Sequence, residues 1–213
     1  MRDAKGRDAR HQRHVDAGEN DLRVNPIALL KQWIDEAHKD GVREPVPMSL
    51  ATVNEEGLPN VRFVLLRGVD DRGVQFYTSY FSRKGRALER HPFAAAALYW
   101  PRFERQVQLE GPVQRLSDEE SDAYFAGRPR GHQIAAWASE QSEPVASREV
   151  LDERFAHFEA RFASEEVPRP HSWGGFVIAV SRLEFWERRE NRMHDRLEYR
   201  RAGGRWEVRR LQP

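Results

Sequence analysis

The chain of 213 residues contains no cysteine. That absence excludes a disulfide framework and thiol catalysis, and it fits a reducing cytoplasm. It also lacks a charge excess, with 35 basic residues against 34 acidic ones. A general electrostatic grip on DNA or RNA needs a clear basic surplus, so nucleic acid is not an expected partner and any anion site must be local. No apolar run approaches the roughly 18 residues of a membrane span, and the polar N-terminus has no signal-peptide core, so a soluble, unexported protein is expected. There is no metal-ligand spacing, no Walker loop, no G-x-G-x-x-G and no G-x-S-x-G elbow. Lysine is scarce: only Lys5, Lys31, Lys39 and Lys84 occur, and the other 31 basic residues are arginine. This reads as a coding preference for arginine, which makes a lone lysine inside a motif informative.

What remains is enough for one main core. Hydrophobic residues make up 39% of the chain, including six Trp and eleven Phe, although a mean hydropathy of -0.81 leaves much of it facing water. Residues 1–24 are polar without sustained period and read as a mobile arm, in which His11 and His14 are incidental; residues 25–213 form the ordered domain. Asn25 and Pro26 supply a helix start, Ile27, Leu30, Ile34 and Ala37 recur at helical spacing, and Gly41 ends the run. From Met48 the pattern changes to β-rich runs at 48–53, 61–67, 74–78 and 94–99, with turns at 54–57 and 70–73, then a long strand at 105–116 bent near Gly111 and Pro112. Successive strands without helical crossovers favour an antiparallel barrel. Ser117–Glu120 spells a capping box that opens a helix to about Ala126. A helix after Pro144 carries Leu151, Phe155, Phe158 and Phe162 on one face, read as core packing. Strands follow at 176–180, 183–188, 196–200 and 205–211.

Three cationic clusters stand out. In Arg62–Arg67, strand alternation puts Arg62, Val64 and Leu66 on one face and Phe63, Leu65 and Arg67 on the other, and a cation on so apolar a strand is costly unless paired. Tyr77 and Thr78 lie shortly before Ser82-Arg83-Lys84, where hydroxyls, free N–H groups and two cations at a helix start form a phosphate cradle or, alternatively, a capped helix with a solvated basic turn. Arg192, His194 and Arg196 would share one strand face, where they repel one another unless an anion lies between them.

Nine short motifs, RFVLLR at 62–67, YT at 77–78, SRK at 82–84, ERQV at 104–107, YFAGRPR at 124–130, QS at 141–142, WGGF at 173–176, EFW at 184–186 and RMHDR at 192–196, occur in an order and spacing that closely resemble the pyridoxamine 5'-phosphate oxidase family. The resemblance runs from about Asn25 to Pro213. It implies a mainly β, α+β antiparallel split barrel with flanking helices, a homodimer, and FMN in each of two clefts at the subunit interface. It places Arg62, Phe63, Val64, Leu65, Leu66, Arg67, Tyr77, Thr78, Arg83, Lys84, Gln106, Gln141, Ser142, Trp186 and Arg196 at flavin contacts. It places Arg67, Tyr124, Arg128 and His132 at the substrate phosphate, and Arg192, Met193 and His194 at the substrate, with Arg192 and His194 over its pyridine ring. The implied reaction is hydride transfer from C4' of pyridoxamine or pyridoxine 5'-phosphate to the flavin, then reoxidation by O2 to give hydrogen peroxide. The flavin supplies that chemistry, and the protein positions and tunes it.

Three positions depart from the family pattern. Arg67 stands where the family usually has lysine, His132 stands where it has serine, and an Arg-Tyr signature near the N-terminus is absent, since residues 9–14 read Ala-Arg-His-Gln-Arg-His. Arginine and lysine offer a phosphate different hydrogen-bond geometry. The competing readings are a split-barrel flavin oxidoreductase with another substrate and a non-catalytic flavin- or pyridoxal phosphate-binding protein.

Overall fold

Asn25 caps the first helix as its sequence predicts: its Oδ1 accepts from the Ile27 N–H at 2.9 Å, Pro26 takes the first helical position, and α1 runs Pro26–Lys39. Gly41 follows with a φ of +84°, the left-handed value that ends helices. The computed structural model describes residues 24–42 and 46–213. The expected arm, with His11 and His14 and the departure at residues 9–14, therefore lies outside the described residues apart from Val24.

The remaining elements are β1 (Pro47–Val53), β2 (Pro59–Leu65), β3 (Gly68–Asp70), β4 (Gly73–Ser79), α2 (Arg83–Arg90), β5 (Phe93–Trp100), β6 (Arg105–Arg115), α3 (Asp118–Ala126), α4 (Arg130–Ala138), α5 (Arg148–Arg161), β7 (Trp173–Ile178), β8 (Arg182–Glu187), β9 (Asp195–Ala202) and β10 (Arg205–Arg210). All ladders are antiparallel, in the order β10-β9-β8-β6-β5-β1-β2, with β4 bridging β3 and β7. Strand β6 serves two sheets: Arg105–Glu110 pairs with β8, while Val113–Arg115 pairs with β7. The bend between them sits at Gly111 and Pro112, where a Cβ on Gly111 would lie 2.1 Å from the Ala179 carbonyl oxygen. Glycine is required there, because a side chain would collide with the backbone of the turn between β7 and β8. The result is the antiparallel barrel that the strand succession favours, split as the family resemblance implies.

Leu50, Leu98, Val107, Leu109, Phe76, Ile178, Leu183 and Tyr199 fill the barrel, and α1 closes it with Leu30, Trp33 and Ile34. Where one main core is expected there is also a satellite of Phe125, Ile134, Phe162, Val167 and Trp173 beneath α3 to α5. The aromatic stripe of α5 is less buried than its pattern suggests. Phe162, just past its end, is buried, whereas Leu151, Phe155 and Phe158 are half-buried. Helix α4 follows a Gly127–Pro129 segment that reads as a turn, and Pro129 serves as its N-cap. Three-residue β3 is too short to show a period. Among the described residues no helix is long and apolar enough to cross a membrane.

Candidate active site

Strand β2 alternates as its sequence dictates, with Arg62 and Val64 facing inward while Val61, Phe63 and Leu65 stand 67%, 76% and 41% exposed. The strand ends at Leu65, two residues earlier than expected, because the chain then changes partners. The Leu66 N–H donates to Val46 O at 3.0 Å and the Arg67 N–H to Gln75 O at 2.9 Å. That switch hands Arg67 from the edge of β1 to the edge of β4.

Arg62 donates to Leu50 O (3.1 Å), Thr52 Oγ1 (2.8 Å) and Asn60 Oδ1 (2.5 Å). Every partner is neutral. Burial, then the neighbouring Arg83 charge, lower its pKa. Ser82 caps α2, accepting from the Gly85 N–H at 3.2 Å, and this places Lys84 on the inner side of the helix start and Arg83 in solvent. The Lys84 ammonium, 8% exposed, donates to Thr78 Oγ1 (3.0 Å), Gln141 Oε1 (3.1 Å) and Ser82 Oγ (3.3 Å). Thr78 also donates to Gln141 Oε1 at 2.8 Å. Burial and the Arg62 charge push Lys84 down to about 8. Among the described residues no carboxylate pairs with Arg62, Arg83 or Lys84. Ser142, beside Gln141, is exposed and holds a φ of +79°, an unfavourable value for a residue with a Cβ.

A second cation pair gathers around Tyr77, the neighbour of Thr78 on β4. Tyr77 of β4 stacks on Tyr124 of α3 with centroids 3.7 Å apart and planes at 8°, and Trp173 of β7 lies 5.7 Å from Tyr77 and 6.2 Å from Tyr124, nearly parallel to both. Gly175 makes this possible, since a Cβ there would sit 2.7 Å from the Tyr77 ring and 2.5 Å from Leu116. Burial pushes both phenols up, so both keep their O–H. The guanidinium of Arg67 sits 5.9 Å from the Tyr124 centroid, and that of Arg128 sits 4.4 Å from Trp173. Burial lowers Arg128, and its Nη1 is buried without a hydrogen-bond partner. His132 is exposed in the first turn of α4, one turn beyond Arg128.

The C-terminal cluster corrects the sequence expectation. Arg192, His194 and Arg196 do not share a strand face, because Glu190–Arg192 forms a 3-10 turn in which Asn191 (φ +53°) and Arg192 (φ +61°) take the left-handed conformation, and β9 begins only at Asp195. Met193 is 66% exposed. His194 leans on Trp186, with ring centroids 4.7 Å apart, and its Nδ1 accepts from the Arg189 N–H at 3.2 Å. The neutral ring therefore carries its proton on Nε2. Trp186 pairs across the sheet with Gln106 on one side and Arg196 on the other, so these three form a row on the face opposite the core. Arg196 donates to Glu184 Oε1 at 2.7 Å and to Gln212 O at 3.0 Å. Glu184 and Trp173 are the contributors that residue-type reasoning passed over, although EFW and WGGF contain them.

No hydrogen bond, ion pair or ring contact among the described residues joins the Gln106–Trp186–Arg196 row to the Arg62–Lys84 group. Four strand spacings separate β8 from β2, roughly 19 Å along the sheet at about 4.8 Å each.

A family model described as pyridoxamine 5'-phosphate oxidase matches residues 34–162. The chain belongs to the pyridoxamine 5'-phosphate oxidase family. It is thus a member of an oxidoreductase family, and a second model, described as the pyridoxine 5'-phosphate oxidase C-terminal dimerisation region, matches residues 173–213. The pyridoxine/pyridoxamine 5'-phosphate oxidase of Rubrobacter xylanophilus is 52% identical over 189 residues, which cover 89% of this chain and 87% of that one. The Cupriavidus pinatubonensis protein of the same name is 47% identical over 92% of both chains. Among solved structures, PhzG from Burkholderia lata in complex with tetrahydrophenazine-1-carboxylic acid is 35% identical, with a TM-score of 0.86 over 91% of this chain and 95% of that one. An FMN-binding protein from Nostoc punctiforme, described as related to pyridoxamine 5'-phosphate oxidase, shares the fold at 15% identity, with a TM-score of 0.72 over 89% and 99% of the two chains.

Proposed function

We propose that this chain is an FMN-dependent oxidase that converts pyridoxamine or pyridoxine 5'-phosphate to pyridoxal 5'-phosphate with O2 as acceptor, working as a homodimer. The observation that carries the reading is the two cation groups held without carboxylates among the described residues. Other half-buried or buried arginines in the chain, such as Arg105, Arg169 and Arg182, sit in ion pairs. Among the described residues half-buried Arg62 and Arg128 and buried Lys84 do not, and neither does exposed Arg67 beside Arg128. A desolvated cation lacking a counterion is costly, and an incoming anion removes that cost. Two such groups suit two phosphate monoesters, one on the cofactor and one on the substrate.

The residues fit this cofactor. Arg62, Arg83, Lys84, Thr78, Gln141 and Ser142 would hold its phosphate, and the backbone from Phe63 to Leu66 would face its ring. Gln106, Trp186 and Arg196, lying across the sheet, would reach the same cofactor from a second copy, and the exposed strip of Val61, Phe63 and Leu65 is apolar surface such a copy would cover. When bound, FMN would accept a hydride from C4' of the substrate and pass the electrons to O2, giving hydrogen peroxide; the alcohol would become the aldehyde directly, and the amine an imine that water hydrolyses to the aldehyde and ammonia. Arg67, Tyr124 and Arg128 grip the substrate phosphate, with His132 at the rim. Arg192 and the Nε2–H of His194 place the pyridine ring and stabilise charge at the reacting end. A cysteine-free chain suits the cytoplasm.

The ligand of the PhzG structure, a carboxylic acid on a polycyclic ring, points to the second reading, an oxidoreductase acting on another aromatic anion. Steady-state peroxide formation tests both. Pyridoxamine and pyridoxine 5'-phosphates should support turnover and their unphosphorylated counterparts should not; absence of peroxide with either phosphate, in protein that holds FMN, would reject the proposal.

A further inference from the structure

We infer that Trp173 is the positioning residue that aims Arg128 at the substrate phosphate, so that an aromatic face rather than a carboxylate sets the preference for phosphorylated ligands. This rests on the substrate site proposed above. The guanidinium carbon of Arg128 lies 4.4 Å from the Trp173 ring centroid and 5.4 Å from that of Phe125, and no acid among the described residues pairs with it. A ring quadrupole attracts a cation without using its N–H groups, so the donors stay available to an anion. A carboxylate in the same place would consume two of them and repel the phosphate. The buried Nη1 without a partner is the donor this arrangement leaves over.

Trp173 is fixed well enough to aim another side chain. It is 8% exposed, its backbone pairs with Ser79 of β4, and its carbonyl accepts from Arg169 Nη1 at 2.7 Å. Arg169 in turn binds Asp118 at 2.6 Å and Asp122 at 2.5 Å. The same contact that pins Trp173 therefore occupies two acids of α3 that sit close in sequence to Tyr124. Tyr77 and Tyr124 lie nearly parallel to the indole, and Arg67 sits at the Tyr124 ring. One aromatic platform thus carries both cations of the phosphate site.

The test uses FMN-loaded protein and two probes, pyridoxal 5'-phosphate and pyridoxal, whose ratio of dissociation constants reads phosphate preference alone. Arg128→Met provides the reference loss. Trp173→Leu should lower the ratio by about tenfold or more, and Trp173→Phe, which keeps a weaker ring, should give an intermediate value, with FMN content unchanged in both. A purely structural role would weaken both probes together and leave the ratio alone. An unchanged ratio in a Trp173 variant that holds FMN normally overturns the inference, and if Trp173→Leu does not fold, Trp173→Phe decides by the same ratio. Wild-type protein with no preference for the phosphorylated probe would instead overturn the substrate reading itself; a wild-type preference lost in Arg128→Met but kept in the Trp173 variants overturns only the role given to Trp173.

Discussion

Removing the charge of Lys84 should abolish a pH dependence that its burial imposes on cofactor binding. Without an anion, burial and the Arg62 charge hold the ammonium at about 8, against an ordinary value of 10.5. At about 1.4 kcal/mol per pH unit, keeping it charged costs the fold roughly 3 kcal/mol. The sign follows from the order of the two values. The folded value is the lower one, so the cost is present in full below pH ~8 and disappears as pH rises towards the unfolded value. A bound phosphate dianion restores the charge, so binding takes up a proton above pH ~8, and the dissociation constant should rise roughly 30-fold between about pH 7 and pH 9.5. In Lys84→Met, FMN should bind about 1.5–3 kcal/mol more weakly at neutral pH, with no comparable rise. Titrating apoprotein with FMN and following the quenching of flavin fluorescence reads both curves. A flat wild-type curve, or the same slope in Lys84→Met, would refute the reasoning.

Further outcomes follow from the same geometry. Arg67→Ala should weaken pyridoxal 5'-phosphate by roughly 10- to 150-fold, measured by titration of the protein kept saturated with FMN. Arg192→Ala and His194→Ala should keep FMN but lower kcat/KM, whereas Arg196→Ala should lose FMN and recover activity in excess cofactor; flavin content and turnover measured side by side separate the two groups. Gly175→Val should drive a side chain into Leu116 and Tyr77, costing roughly 1–3 kcal/mol by thermal unfolding. Burial alone would raise Glu198, but hydrogen bonds from Arg200, Arg182 and Arg209 outweigh it and hold the carboxyl at about 2. Its folded value lies below its unfolded one, so its stabilisation is present above the ordinary carboxylate range and lost as pH falls towards 2. Acid unfolding of Glu198→Gln should therefore show a shallower limb.

How far the sequence speaks for this structure depends on the residue. Caps and alternation are local, so the start of α1, the Ser117 capping box and the inward face of Arg62 are readable from neighbours alone. The bend of β6 is announced by Gly111 and Pro112. The scarcity of lysine points at Lys84, which proves to be buried among neutral oxygens. The tail is different. Strand alternation fails at Arg192 because two consecutive residues there adopt left-handed φ values without being glycine; Asn191 is of a type that tolerates this, whereas nothing in the type of Arg192 announces it. Arg62 is expected to find an ion-pair partner or pay for its burial, yet its partners are a carbonyl, a hydroxyl and an amide. Nothing in the sequence around Trp173 announces that Arg128, two residues past the end of α3, comes to lie at its ring. The half-exposed stripe of α5 also escapes a pattern rule, since periodicity marks a face without fixing how completely it is covered.

Mixing purified holoprotein with pyridoxamine 5'-phosphate in the absence of O2, then admitting O2, tests the central claim most directly. The visible flavin band should bleach, pyridoxal 5'-phosphate should appear in equal amount, and the band should return with peroxide once O2 enters. A flavin that stays oxidised, or that bleaches equally fast with unphosphorylated pyridoxamine, would contradict the account.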